Sequence, residues 1–149
     1  MGHTPATLTS PTTVLVADDD DDLRGLIAET LRCDGYTVVE VRDGCEALDY
    51  LTYSLDIPAL RPDIMLTDVR MPHLSGLGVL EALQMADVVV PTVVMTMLED
   101  ESLRIIAKRL GAVGVLHKPF DVDDLRTALL NAERACEATC ARQVTRRFQ

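Results

Sequence analysis

Five consecutive aspartates, Asp18 to Asp22, follow directly on the apolar stretch Val14-Leu15-Val16-Ala17. Adjacent carboxylates repel and raise one another's pKa unless a positive charge sits among them, so such a run is either a solvated turn or half of a cation site. Further along, Asp68 closes the apolar stretch Ile64-Met65-Leu66-Thr67, Thr96 closes Val93-Val94-Met95, and Lys118 follows Val115-Leu116-His117. Three carboxylates, a hydroxyl and an ammonium thus stand at the ends of apolar runs, where a shared edge would let them act together.

The elements that would position these groups follow from periodicity. Strand-length apolar runs occur at 13–17, 36–41, 63–68, 91–96 and 113–118. Between them, Asp22 to Cys33, Gly44 to Tyr53, Ser75 to Met85 and Asp100 to Leu110 carry apolar residues at helical spacing, and a fifth helix opens near Asp121 and continues past Ala132. Gly35 and Gly111 fall just beyond two of these stretches, where a left-handed residue ends a helix. Alternating strands and helices imply an α/β fold with a parallel sheet covered on both faces, and ligands then bind outside the carboxyl ends of the strands.

The chain has 149 residues, 48% hydrophobic but only 3% aromatic, which suits one domain with an aliphatic core. A formal charge of −10 opposes direct binding of nucleic acid by the domain. With neither a signal peptide's apolar centre nor a membrane-length apolar run, the expected location is the cytoplasm. Cys33, Cys45, Cys136 and Cys140 are then expected to be reduced. The last two, four apart on a helix, have no His or third Cys near them in sequence, which argues against a metal between them.

Asp18-Asp19 after Val14-Leu15-Val16-Ala17, the stretch Asp68-Val69-Arg70-Met71-Pro72 with Ser75-Gly76, Thr96, and Lys118-Pro119-Phe120 together resemble the receiver domains of two-component response regulators. The resemblance covers about residues 13 to 134 and implies a flavodoxin-like, doubly wound sheet of five βα units in the order 2-1-3-4-5. It implies that Asp68 accepts a phosphoryl group from a sensor histidine kinase or a phosphotransfer protein. Mg2+ would be held by Asp19 and Asp68, by Asp18 largely through water, and by the Arg70 backbone carbonyl. Lys118 would pair with Asp68 before transfer and Thr96 would donate to a phosphoryl oxygen afterwards. Such a domain is a phosphoacceptor that dephosphorylates itself rather than an enzyme turning over an external substrate, and it signals through the face formed by helix 4, strand 5 and helix 5. Asp20, Asp21 and Asp22 are left to charge and cap the first helix.

Three other readings use some of the same residues. A calcium loop would need Gly where Leu23 stands. A phosphatase resembling the haloacid dehalogenases would need a late acidic motif beside the first strand, and Asp121, Asp123 and Asp124 belong to a helix start instead. A phosphorylation-independent interaction module would have lost a site residue.

Departures from the resemblance are specific. Val115 stands where the family usually has a switching aromatic, bulky Met97 follows Thr96, and the connection after the second helix, Thr52 to Pro62, is long. Residues 1–12 are expected to be disordered, and 135–149 to form a helical extension with a basic tail. The positions Val122, Leu125, Leu129, Ala132, Cys136 and Thr139 make a seam that outruns the sheet, and after Ala138 come Arg142, Arg146 and Arg147 without an acid. A homodimer through this helix is the expectation that follows.

Overall fold

The computed structural model describes residues 12–147, with side chains as far as residue 138; the expected disorder of the N-terminal segment therefore concerns residues outside that range, Thr12 excepted. Five strands form one parallel sheet: β1 (Thr13–Ala17), β2 (Thr37–Val41), β3 (Ile64–Asp68), β4 (Thr92–Thr96) and β5 (Ala112–His117). Their order is β2-β1-β3-β4-β5. The helices are α1 (Asp21–Cys33), α2 (Gly44–Ser54), α3 (Gly76–Met85), α4 (Glu101–Arg109) and α5 (Val122–Arg147).

Strand alternation divides the core in two. Val14, Val16, Ile64, Leu66, Val93 and Met95 face α1 and α5, where they meet Ile27, Leu31, Leu125 and Leu129. Leu15, Ala17, Met65 and Val94 face the other way, against Ala47 and Leu51 of α2, Val79 and Leu83 of α3 and Ala107 of α4. The three inner strands are covered on both sides, which is why their sequences read as unbroken apolar runs instead of alternating ones.

Local chemistry fixes the ends of the helices. Asp20 caps α1, its carboxylate accepting from the backbone N–H groups of Asp22 and Leu23. At the other end Gly35 (φ +96°) closes a Schellman motif, with Gly35 N–H on the Arg32 carbonyl and Tyr36 N–H on that of Leu31. Tyr36 is thereby used in the cap, and β2 begins one residue later than its apolar run. The third and fourth strands likewise open one residue late, at Ile64 and Thr92. Asp63 instead clamps the start of β1: its N–H donates to the Thr13 carbonyl and its carboxylate accepts from Thr13 N–H, both at 2.8 Å.

The long connection after α2 is tied down. It holds a 3-10 turn, Pro58–Leu60, whose Leu60 carbonyl accepts from the Tyr50 hydroxyl at 2.6 Å. The Arg61 guanidinium donates to the carbonyls of Ser54 and Leu55. Along α5, Leu125, Leu129 and Ala132 are buried as the seam requires, whereas Val122 is 43% exposed. The helix continues to Arg147, and Ala132 is its last buried residue among those whose side chains are described. Cys33 and Cys45 are free and exposed, Cys136 is half-buried, and the side chain of Cys140 lies outside the described range.

Candidate functional site

Parallel pairing brings the carboxyl ends of β1, β3, β4 and β5 to one edge. Asp68 lies opposite Met95, and Thr96 opposite His117. Lys118 follows β5 directly, and its N–H extends the pairing by donating to the Thr96 carbonyl at 2.7 Å. Asp18 leaves β1 with its N–H on the Val41 carbonyl at 3.2 Å. All the groups singled out at strand ends, Asp18, Asp19, Asp68, Thr96 and Lys118, therefore share one rim.

Each is held differently. Asp18 is fully buried: Oδ1 accepts from Asp20 N–H at 2.9 Å and Oδ2 from Lys118 Nζ at 2.8 Å. Asp19 is exposed. Asp68 Oδ2 accepts from Lys118 Nζ at 3.1 Å, and the Asp68 carboxylate also takes the Arg70 backbone N–H. Thr96 is buried, and its hydroxyl oxygen accepts from Leu98 N–H at 3.0 Å, leaving the hydroxyl proton available to a ligand. One oxygen from each of Asp18, Asp19 and Asp68 lies within 4.8 Å of the others.

The electrostatics follow from three carboxylates facing one ammonium. Burial pushes the Asp68 carboxyl above its ordinary range, and Asp18 adds to this against the opposing pull of Lys118. Burial alone would lower Lys118, but hydrogen bonds and charge from Asp18 and Asp68 together hold its ammonium above the usual lysine value.

The backbone under Asp68 is braced from below. Gly76 N–H donates to the Val69 carbonyl at 3.0 Å, and a Cβ on Gly76 would run into the Asp68 carbonyl. Thr67 Oγ1 donates to that same carbonyl at 3.1 Å. Beside the acidic cluster a cavity of about 100 Å3 is lined by Asp68, Val69, Arg70, Thr96, Met97, Leu98 and Lys118. Its size suits a small tetrahedral oxyanion.

Two features of this rim are not legible in the residue pattern. Lys118 is shared between Asp18 and Asp68 instead of serving Asp68 alone. Arg24, which the sequence pattern does not single out, is buried, and its guanidinium reaches the Asp18 carbonyl. Its place four residues after the cap Asp20, hence one turn along α1 on the side of the cap, is the only signal that points there.

Fold and site together define a flavodoxin-like α/β domain with an acidic pocket braced by lysine. Residues 14–130 match the family model of the response regulator receiver domain. The chain is 30% identical over 116 residues to Sporulation initiation phosphotransferase F of Bacillus subtilis, covering 78% of this chain and 89% of that protein. It is 36% identical over 115 residues to Response regulator MprA of Mycobacterium sp., with 77% and 47% covered. To the DNA-binding transcriptional regulator NtrC of Escherichia coli it is 32% identical over 136 residues, 91% of this chain but 27% of that one. It thus spans less than half of these last two relatives. Among solved structures, the chemotaxis response regulator CheY4 of Vibrio cholerae superposes with a TM-score of 0.74 at 29% identity, covering 83% of this chain and 99% of that one. This chain belongs to the response regulator receiver domain family, and with it to two-component phosphorelay signalling.

Proposed function

We propose that the domain accepts a phosphoryl group on Asp68 from a phosphohistidine of a sensor kinase or phosphotransfer protein. The observation that carries this reading is the convergence of Asp18, Asp19 and Asp68 within 4.8 Å, with Lys118 Nζ 3.1 Å from Asp68. In the transfer, an Asp68 oxygen bonds to phosphorus while the phosphorus–nitrogen bond breaks and the imidazole leaves.

The donor set fits Mg2+: all the convergent atoms are hard anionic oxygens, and their charge exceeds what one ammonium balances. Asp19 and Asp68 would hold the ion directly, Asp18 largely through water, and the Arg70 carbonyl would complete the protein's share. Bound there, Mg2+ would supply charge neutralisation on the phosphoryl oxygens. Lys118, already poised between two carboxylates, would pass from Asp68 to a phosphoryl oxygen. The Thr96 hydroxyl would donate to another, and that draw on the end of β4 would shift α4 and β5. With Val115 in place of an aromatic, the shift passes through the backbone and α4, which buries only Ala107.

Among the described residues no helix is long and apolar enough to cross a membrane. The basic run after Ala138 and the strongly acidic body suit pairing of α5 with a second copy of the chain. The deciding experiment is intact-mass spectrometry after incubation with a small acyl phosphate. One added phosphoryl group is expected with Mg2+, and none in excess chelator or in Asp68→Asn; an equal increment in either control overturns the assignment.

A further inference from the structure

Beneath the acidic pair lies a buried cation that the phosphotransfer chemistry does not itself use. Arg24 of α1 is 8% exposed. Its Nη1 donates to the Asp18 backbone carbonyl at 2.7 Å and its Nη2 to Asp21 Oδ1 at 2.6 Å. Its Nε stands 3.4 Å from Glu40 Oε1 of β2 and makes no hydrogen bond. One guanidinium thus spans the β1–α1 turn, the first turn of α1 and the neighbouring strand.

We propose that Arg24 is a positioning residue for the cation site: by fixing the Asp18–Asp19 peptide it aims the Asp19 carboxylate. The argument is geometric and rests on the metal reading given above. A peptide unit is planar, so anchoring the Asp18 carbonyl sets the direction in which the Asp19 N–Cα bond departs. Asp18 is pinned at every other polar group as well, by Val41, Asp20 and Lys118. Asp19 is the exposed member of the three carboxylates, and its aim depends on the backbone behind it. Stability alone does not account for a guanidinium here, since apolar side chains of similar volume often replace buried ion pairs without loss. A fork that reaches a carbonyl, a carboxylate and a second strand at once is suited to holding one peptide plane still.

The outer partners of metal ligands typically govern affinity by about 10–100-fold. Mg2+ affinity measured by calorimetry, with thermal unfolding in parallel, tests the proposal without any phosphorylation step. Arg24→Met is expected to raise the Mg2+ dissociation constant at least about tenfold with the fold retained. Glu40→Gln, which removes a neighbour of Arg24 but leaves the contact to Asp18, should stay within about twofold of wild type, a minor change on that scale. Arg24→Lys keeps the charge but cannot hold Asp18 and Asp21 together, so its affinity should fall between wild type and Arg24→Met. If Arg24→Met does not fold, Arg24→Lys alone carries the test, and wild-type affinity in it overturns the proposal. Equal affinity in Arg24→Met and wild type overturns it too, while the metal reading stands. A wild-type chain that takes up no Mg2+ overturns the metal reading, and with it the role given to Arg24.

Discussion

Lys118 Nζ lies closer to Asp18, at 2.8 Å, than to Asp68, at 3.1 Å, although Asp68 is the carboxylate at the end of the central strand. The ammonium is therefore divided between the residue proposed to react and one proposed to hold water on the cation. A partner that is already shared can leave Asp68 without becoming a lone buried charge, because Asp18 keeps it.

The same division sets a pH dependence. Burial raises the Asp68 carboxyl above its ordinary value of 3.8, so the folded state holds that proton more tightly than the unfolded chain does. Ionising it costs folding stability as the pH rises from about 4 through the higher folded pKa. In chelator, Asp68→Asn should have a higher Tm than wild type at pH 7, and the gap should close as the pH falls below about 4. Equal melting at pH 7 would show that Lys118 fully offsets the burial.

Only two of the five consecutive aspartates should matter to the cation. Asp20→Ala removes the α1 cap and should lower stability by about 1 kcal/mol in urea denaturation. The Asp20 N–H that supports Asp18 is backbone and survives, so Mg2+ affinity should hardly change. Asp19→Ala should do the reverse, abolishing measurable Mg2+ binding at little cost in stability. A shared effect in both variants contradicts the division of labour.

Gly76 should be intolerant of a side chain. Its Cβ would meet the Asp68 carbonyl and, at 3.0 Å, Thr67 Oγ1, both part of the backbone brace. Gly76→Ala is expected to cost about 2 kcal/mol or more by overpacking and to slow phosphorylation of Asp68. Wild-type denaturation and phosphorylation would mean that the α3 start can move away freely.

Lifetime of the phosphorylated state should depend on the mouth of the small cavity. Arg70, Met97 and Leu98 line it, and none is a carboxylate or amide able to orient a water for in-line attack. Slow self-dephosphorylation is expected. The double variant Met97→Ala, Leu98→Glu should accelerate it by on the order of tenfold, below the full effect of a well-placed general base. Decay followed by mass spectrometry that is unchanged in this variant argues against control by these side chains.

The C-terminal helix offers a test of self-association. The full chain should sediment as a dimer, at least when phosphorylated, and a version ending at Arg134 should remain monomeric. Buried Leu125, Leu129 and Ala132 are all retained in the shorter chain, so its fold should survive. Two monomers under every condition would dismiss the dimer.

Much of this architecture is written in local pattern. Apolar runs of strand length, helical spacing between them, Asp20 as a cap and Gly35 and Gly111 as stops act over a few residues, so the sequence alone determines five βα units and the strand-end places of Asp18, Asp68 and Thr96. Strand limits at Tyr36 and Asp63 escaped that pattern because a helix cap and a loop clamp compete for the same backbone groups. The packing of Gly76 on Asp68, the burial of Arg24 under Asp18 and the sharing of Lys118 between carboxylates 50 and 100 residues away depend on strand register and on how the helices seat on the sheet. Those distances are set by the whole sheet closing at once, and no short window of sequence contains them.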